Sequence, residues 1–170
     1  MSEAHRQFEQ TVMPHLDAAY NLARWLAGND HDAEDIAQEA CVRAFRFFNG
    51  FRGDNCRAWL LTIVRNTAYT WLKKNRPQAT VTLADEELVE IEDPAAGSNL
   101  TFQNADADVL RIALEELPVE FREALVLREL EGLSYKEIAD VADVPVGTVM
   151  SRLARARKQL QTHLSRKGAL

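Results

Sequence analysis

Residues 133–160 read LSYKEIADVADVPVGTVMSRLARARKQL, a sequence that predicts two helices joined by a tight turn. Ser134 and Glu137 have the spacing of a capping box, in which each side chain accepts a hydrogen bond from the other residue's backbone N–H. Asp143 occupies the turn, where aspartate tolerates a left-handed backbone better than most residues. Pro145 suits the start of the second helix. The stretch therefore predicts a helix-turn-helix.

The second helix of this pair has one apolar side and one cationic side. Helical spacing places four apolar residues on the side that we expect to be buried: Val146, Val149, Leu153 and Leu160. The other side offers hydroxyl and cationic groups that can reach base edges and phosphates in a major groove: Thr148, Ser151, Arg152, Arg155 and Lys158. Residues 144–170 contain six lysines and arginines and no acidic residue, although the whole chain has a net charge of -6. This local charge favours a nucleic-acid partner over a helical hairpin that exposes its charges only to water.

The composition fits a small protein of two helical domains. The 170 residues are 46% hydrophobic, which is enough for two modest cores but not for one large core. The sequence has no run of about 18 apolar residues for a membrane span, and its charged start, with Glu3 and Arg6, does not resemble a secretory signal. We therefore expect a cytoplasmic protein without membrane insertion. Cys41 and Cys56 lack metal-site spacing, so we place Cys41 in a core and Cys56 in a loop, where a redox role stays open.

The negative charge is concentrated in the middle of the chain. Residues 78–107 hold seven acidic residues and no lysine or arginine, together with Pro94 and Gly97 and no sustained helical period. We interpret this segment as a flexible acidic linker between a domain at residues 1–77 and a second domain at residues 108–170. The linker is either a solvated spacer or an acidic strand that lies in a basic groove of a partner.

Two helical stretches open the N-terminal domain. The first is interrupted near Pro14 and stops at Gly28, and the second follows a loop at residues 29–31, with Asp32 as its cap. The second stretch has the strongest apolar stripe in the chain, which we expect to be buried: Ala33, Ile36, Ala37, Ala40, Cys41, Ala44, Phe45 and Phe48. The opposite face is polar: Glu34, Asp35, Gln38, Glu39, Arg43 and Arg46. Amphipathicity alone favours a solvated face over a docking face.

A third helix is predicted over residues 57–75, after a loop at residues 51–55. Its inner side is apolar: Leu60, Leu61, Val64, Ala68, Trp71 and Leu72. Its outer side combines cations, an amide and an aromatic ring: Arg65, Asn66, Tyr69, Lys73 and Lys74. This mixture suits unpaired DNA, because aromatic rings stack on exposed bases while cations neutralise the backbone. The alternative, a basic helix with its aromatic rings in the core, fits Trp59 and Trp71 better than Tyr69.

Three segments together resemble bacterial extracytoplasmic-function (ECF) sigma factors, the two-domain promoter-recognition subunits of RNA polymerase, over nearly the whole chain. Residues 32–45, DAEDIAQEACVRAF, resemble the helix that these factors place against the clamp helices of core polymerase. Residues 51–74, FRGDNCRAWLLTIVRNTAYTWLKK, resemble their loop and helix for the promoter's minus-ten element. Residues 145–160, PVGTVMSRLARARKQL, resemble their recognition helix for the minus-thirty-five element.

The resemblance implies a protein that is not an enzyme, but that binds core RNA polymerase, directs it to promoters and assists DNA melting. We expect neither a cofactor nor a metal. The implied contacts to the minus-thirty-five element, with phosphate support, are Thr148, Ser151, Arg152, Arg155, Arg157 and Lys158. The implied contacts to the minus-ten element are a loop that holds an extruded base and the outer side of the third helix: Arg52, Gly53, Asp54, Asn55, Arg65, Asn66, Tyr69, Lys73 and Lys74. The implied polymerase-docking face is Asp32, Glu34, Asp35, Gln38 and Glu39.

The resemblance also implies control by a separate anti-sigma protein, and a linker that enters the polymerase near its RNA path. Met150 and Ala154 depart from the larger or cationic residues that relatives often carry, so the promoter sequence is not defined. Two other classes stay open. A sigma-like decoy would bind an anti-sigma protein and lack the cationic face, whereas a conventional helix-turn-helix regulator would need a dimer interface or a ligand pocket. An enzyme is disfavoured, because His31 and Asp35 lack the further groups of a metal or acyl-transfer site.

Overall fold

Residues 2–77, 107–166 and 168 are described by the computed structural model, which contains helices and turns but no strand in these ranges. The chain divides into two compact units, with four α-helices before the predicted linker and four after it. The predicted fold class, two all-α domains of which the second carries a helix-turn-helix, is confirmed. The predicted linker lies outside the described residues, except that Ala107 already belongs to a helix.

The N-terminal unit begins with two helices that are separated by one tight turn. Helix α1 spans Glu3–Val12, a 3-10 turn spans Met13–His15, and helix α2 spans Leu16–Ala27. Pro14 lies in this turn, as predicted, because proline has no backbone N–H to continue the α-helical ladder. Helix α2 ends at Gly28, whose φ of 89° is a left-handed conformation that costs glycine little.

Helix α3 spans Asp30–Phe47 and begins earlier than the sequence predicts. Its cap is Asn29, whose Oδ1 accepts a hydrogen bond from the backbone N–H of Asp32 at 2.9 Å. The predicted loop at residues 29–31 and the predicted capping role of Asp32 are therefore wrong. Asparagine is as good a cap as aspartate, and the earlier start lets the intervening residues make helical hydrogen bonds.

Helix α4 spans Cys56–Asn75, and Asn55 caps it by accepting a hydrogen bond from the backbone N–H of Ala58 at 3.0 Å. Cys56 is thus the first residue of a helix and is buried, so its predicted position in a loop is wrong. Cys41 is only half-buried in α3. Burial raises the pKa of both thiols, which favours their unreactive protonated form.

The core of the N-terminal unit lies between α2, α3 and α4. Its largest fully buried side chains are Leu22, Leu26, Ile36, Leu60, Leu61 and Leu72. The predicted stripe of α3 is buried at Ala33, Ile36, Ala40 and Ala44, but Phe45 is 50% exposed. Phe45 is only half covered, because α1 lies against one side of its ring. There the ring packs edge-on against Phe8 of α1, with centroids 5.2 Å apart.

Arg76 follows α4 and joins the ends of three helices through its guanidinium. Its Nη1 donates a hydrogen bond to the carbonyl oxygen of Ala27 at 2.6 Å, and its Nη2 donates one to Asp32 Oδ2 at 2.8 Å. The guanidinium also lies 5.2 Å from the centroid of the Trp71 ring. A cation is favourable at the last carbonyls of α2, where the helix dipole is negative. Arg76 therefore holds the end of α2, the start of α3 and the end of α4 together.

The described part of the C-terminal unit consists of four α-helices and one π-helical turn. They are α5 at Ala107–Glu115, α6 at Val119–Leu125, a π-helical turn at Val126–Leu130, α7 at Tyr135–Ala142 and α8 at Val146–Arg166. Helix α8 packs against α5 and α6, and its buried apolar side chains include Val149, Leu153, Leu160 and Leu164. Val146, predicted to be buried with them, is 41% exposed, because it lies in the first turn of α8, at the edge of this core.

The helix-turn-helix has the local geometry that its sequence predicts. Ser134 Oγ accepts from the Glu137 backbone N–H at 3.1 Å, and Glu137 Oε1 accepts from the Ser134 backbone N–H at 3.0 Å, which completes the capping box. Asp143 ends α7 with a left-handed backbone, φ 56° and ψ 51°. The Pro145 carbonyl oxygen accepts from the backbone N–H groups of Thr148 and Val149, at the start of α8. Among the helices described, none is both long enough and apolar enough to cross a membrane.

Replacing Arg76 by alanine is expected to destabilise the N-terminal unit by about 1–2 kcal/mol, the range for charged hydrogen bonds with an allowance for partial exposure. The Ala27 carbonyl and the Asp32 carboxylate would both lose a donor. The chain's three tryptophans, at positions 25, 59 and 71, all lie in this unit. Urea unfolding followed by tryptophan fluorescence therefore measures the change in this unit.

The matched control is Lys74→Ala, which removes an exposed cation from the last turn of α4, two residues before Arg76. This variant is expected to keep the unfolding midpoint of the wild-type chain. A midpoint for Arg76→Ala that equals the wild-type midpoint would show that Arg76 does not hold the three helices together.

Candidate nucleic-acid interface

The cationic side of α8 retains four of the residues that the sequence places there. Thr148, Arg152 and Arg155 are partly exposed, and Lys158 is exposed. Thr148, Arg152 and Arg155 follow the i, i+4, i+7 spacing of one helical stripe, so their side chains leave the helix in similar directions. Hydroxyl and guanidinium groups in this arrangement can donate hydrogen bonds to base edges and phosphates.

Two predicted members of this surface are buried. Ser151 is 3% exposed and Arg157 is 5% exposed. The Arg157 guanidinium points inward, and its Nη2 donates to Glu129 Oε1 at 2.8 Å, so its predicted place among the phosphate contacts is wrong. Ser151 lies between Arg155 and Lys158 around the helix, but its short side chain is covered, so its predicted exposure is also wrong. The exposed surface is therefore narrower than the sequence predicts.

The outer side of α4 brings an arginine, an amide and an aromatic ring together. The Arg65 guanidinium lies 4.0 Å from the centroid of the Tyr69 ring, and Arg65 Nη1 donates to Asn66 Oδ1 at 3.3 Å. Lys73 and Lys74 are exposed one turn further along the helix. Because the guanidinium covers one face of the Tyr69 ring, a nucleobase can stack only on the other face.

The loop before α4 is exposed from Arg52 to Asn55. Arg52 Nη1 donates to the carbonyl oxygens of Asn49 and Phe51, at 2.9 and 3.1 Å, which holds this side chain against a 3-10 turn at Phe48–Gly50. Gly53 has a φ of 120°, a conformation that side chains rarely adopt. The Asn55 side chain caps α4, so it also has a structural role that the sequence did not reveal.

An aromatic cluster packs next to this loop, and the sequence pattern did not predict it. Phe8 of α1 packs edge-on against Phe48, with ring centroids 5.5 Å apart. Phe48 stacks on Phe51, and Phe51 lies 5.0 Å from Trp59 of α4. Aromatic pairs of this kind contribute about 0.5–1.5 kcal/mol each beyond their buried area. The pattern FF-x-x-F at residues 47–51 was the available signal, but the partners in α1 and α4 are distant in sequence.

The polar face of α3 is exposed at Glu34, Asp35, Gln38 and Glu39, as predicted. Asp32, which was predicted to belong to the same face, forms an ion pair with Arg76 and is only partly exposed. Its carboxylate stabilises the N-terminal unit through this ion pair, and it is less available for docking than the exposed residues of this face. His31, Asp32 and Asp35 lie close enough together to hold a metal ion, but two of the three are exposed and Asp32 already has the Arg76 guanidinium as its partner.

Comparisons with known families match both units of the chain. The family Sigma-70 region 2 matches residues 11–78, and the family Sigma-70, region 4 matches residues 108–160. The first match contains α2, α3 and α4, with the polar face of α3 and the outer side of α4. The second contains the helix-turn-helix, with most of α8.

Individual proteins match over most of the chain. The ECF RNA polymerase sigma factor SigE of Mycolicibacterium smegmatis is 38% identical over 160 residues, which are 94% of this chain and 62% of that protein. This chain thus spans less than two thirds of the length of that relative. The ECF RNA polymerase sigma-E factor of Escherichia coli K12 is 39% identical over 141 residues, which are 76% of this chain and 72% of that protein.

A solved structure gives the same result. The sigma factor RpoE from Bartonella quintana, crystallised with the anti-sigma factor NepR, matches with a TM-score of 0.71 and 32% identity, over 94% of this chain and 98% of that chain. The two region matches and the identity across nearly the whole chain are together sufficient to assign the family. This chain belongs to the ECF RNA polymerase sigma factors.

Proposed function

We propose that this chain binds core RNA polymerase, directs it to promoters with minus-ten and minus-thirty-five elements, and assists the opening of the duplex. The observation that carries the proposal is the presence of two different cationic surfaces, on α8 and on α4, in a chain of net charge -6. One has the hydroxyl and guanidinium groups that suit a duplex groove, and the other has an aromatic ring that suits unpaired bases. The protein acts through the polymerase and has no catalytic centre of its own.

The C-terminal domain, residues 108–170, reads the minus-thirty-five element in this proposal. A helix-turn-helix places its second helix in the major groove, with residues near the N-terminus of that helix at the base edges. Thr148 and Arg152 occupy the first two turns of α8, and Arg155 and Lys158 follow towards the flanking phosphates. Ser151 is left out because its side chain is buried. Arg157 is left out because it is engaged with Glu129.

The N-terminal domain, residues 1–77, binds the minus-ten element. The face of the Tyr69 ring opposite the Arg65 guanidinium stacks on an exposed base, while Asn66 and the neighbouring cations contact the edge of the base and its backbone. The loop from Arg52 to Asn55 receives one extruded base. Unstacking a base costs a few kcal/mol, so a pocket that fits one base converts this cost into sequence selection.

The exposed face of α3, Glu34, Asp35, Gln38 and Glu39, docks on core polymerase, where its carboxylates pair with basic groups. The acidic linker, residues 78–107, passes near the RNA path of the polymerase. A separate anti-sigma protein controls the chain, by analogy with the Bartonella quintana sigma factor that was crystallised with one. All of these partners meet the chain in the cytoplasm. The cationic residues of α8 favour this function over that of a decoy, which would have no use for them.

The direct test adds the purified chain to sigma-free core RNA polymerase and sequences the transcripts that start on fragmented genomic DNA from the source organism. We expect discrete start sites whose upstream DNA shares two motifs. The double variant Glu34→Lys, Asp35→Lys should lose the polymerase complex, because it reverses the charge of the proposed docking face. The control Glu3→Lys, a charge reversal at an exposed position of α1, should retain it. A folded wild-type chain that forms no complex and produces no new starts would refute the proposal.

Alanine at both Arg152 and Arg155 is expected to lower the discrimination between the minus-thirty-five motif and a mismatched motif by about 1–3 kcal/mol for each lost base contact. A lost phosphate contact would instead reduce the slope of log affinity against log salt by about 0.9. Fluorescence anisotropy of the holoenzyme on labelled duplexes at several salt concentrations measures both quantities. Gln161→Ala, at an exposed position of the same helix, is the control that should change neither.

Tyr69→Ala is expected to weaken binding to a forked DNA with a single-stranded minus-ten element by about 1–3 kcal/mol, because one stacked base loses its platform. Tyr69→Phe keeps the ring and should keep most of the affinity. Neither variant should change binding to a duplex that carries only the minus-thirty-five motif. Equal affinities of the alanine variant and the wild type for the forked DNA would exclude Tyr69 from the proposed surface.

A further inference from the structure

Arg157 lies on the inner side of α8, next to the helix that is proposed to read DNA. Its side chain is 6% exposed, and its Nη2 donates to Glu129 Oε1 at 2.8 Å. Residues two positions apart in an α-helix are separated by about 200° of rotation. Arg157 therefore points away from Arg155 and the rest of the cationic side. The guanidinium therefore contacts the domain interior, while Arg155 on the opposite side is directed outwards.

Glu129 belongs to the π-helical turn at Val126–Leu130, which closes with a hydrogen bond from the Glu131 backbone N–H to the Val126 carbonyl oxygen at 3.0 Å. π-helical turns are rare, and they often occur at functional sites. The neighbouring residue in the same turn, Arg128, contacts the other helix of the pair. Its Nη1 donates to the Leu133 carbonyl oxygen at 2.9 Å, and its guanidinium lies 4.6 Å from the centroid of the Tyr135 ring.

Two consecutive residues of the π-helical turn thus hold the two helices of the helix-turn-helix. Arg128 holds the start of α7, and Glu129 holds the middle of α8 through Arg157. The Arg157 and Glu129 positions are 28 residues apart, so the ion pair is a tertiary link and not a contact within one helix.

Apolar packing is incomplete beside this link. A cavity of about 150 Å³ is lined by apolar side chains and by Glu129: Leu110, Leu114, Leu125, Val126, Glu129, Leu130 and Leu160. Leu160 of α8 lies three residues after Arg157, so the cavity adjoins the same side of the helix. Where side chains do not interlock, close packing defines the rotation of a helix less tightly. A short hydrogen bond between charged groups is directional and defines that rotation where the cavity cannot.

We propose that Arg157 is a positioning residue for promoter recognition: through Glu129 it fixes the rotation of α8, and thereby the direction in which Thr148, Arg152 and Arg155 meet the DNA. This inference rests on the proposed function. Groups that read bases must be held to about 0.5 Å and 10–20° by the residues behind them. Loss of the ion pair should therefore reduce sequence discrimination without removing a contact to DNA.

The test uses the full chain in holoenzyme with core polymerase and a pool of duplexes that is randomised at the minus-thirty-five element. Arg157→Gln and Glu129→Gln are each expected to lower the ratio of specific to non-specific binding about tenfold, the effect of one charged hydrogen bond. The double variant should be no worse than either single variant, because both remove the same link. The salt slope should stay at the wild-type value. The control Lys158→Gln should lower that slope by about 0.9 if Lys158 contacts a phosphate.

Three results would overturn the positioning role. The first is that both single variants select the same motif with the wild-type ratio. The second is that Arg157→Gln lowers the salt slope as a lost phosphate contact does. The third is that the two substitutions add independently. Circular dichroism establishes that each variant is folded, and if Arg157→Gln does not fold, the partly exposed Glu129→Gln decides alone. A wild-type holoenzyme that selects no motif would refute the proposed function, which is a separate outcome.

Discussion

The ends of helices are the points of this protein where backbone hydrogen bonds must find partners outside the helical ladder. Each helix leaves its first four N–H groups and its last four carbonyls without partners in the helix itself. Asn29, Asn55 and Ser134 accept from the first N–H groups of α3, α4 and α7, and the Arg76 guanidinium donates to the Ala27 carbonyl at the end of α2. A small helical unit contains many helix ends, so these few polar contacts determine where the chain can turn.

This requirement explains which features can be predicted from sequence. The capping box, the interruption at Pro14 and the left-handed turn at Asp143 depend on residues within a few positions of one another, and the structure has all three. Two errors are local, because Asn29 and Asn55 cap α3 and α4 earlier than predicted. The errors at the candidate surfaces concern residues whose partners are distant in sequence. Asp32 was assigned to an exposed face, but Arg76, 44 residues away, engages it. A helical pattern shows which side of a helix a residue lies on, and it does not show what lies opposite.

The candidate surfaces follow the same division. The grouping of Arg65, Asn66 and Tyr69 could be predicted because all three lie within two turns of α4. The aromatic cluster beneath the loop could not, since its rings come from α1, the turn after α3, and α4. Arg157 has a side chain that is typical of a DNA contact, but it is buried like a core residue. Only the tertiary structure distinguishes these two roles. Arginine is suited to both roles, because its long apolar stem can be buried while its guanidinium makes directed hydrogen bonds.

The π-helical turn at Val126–Leu130 constrains how many residues can lie between α6 and α7 during evolution. A π-helical turn contains one more residue than the α-helical turn that it replaces. Deletion of a single residue there would restore a regular α-helical turn and move the remaining residues of the turn by one position, which is about 100° of rotation for each side chain. Arg128 and Glu129 would then no longer face their present partners together. A substitution in this turn changes one link at a time, whereas an insertion or a deletion changes both links at once. The number of residues between α6 and α7 should therefore vary less among homologues than the identity of those residues.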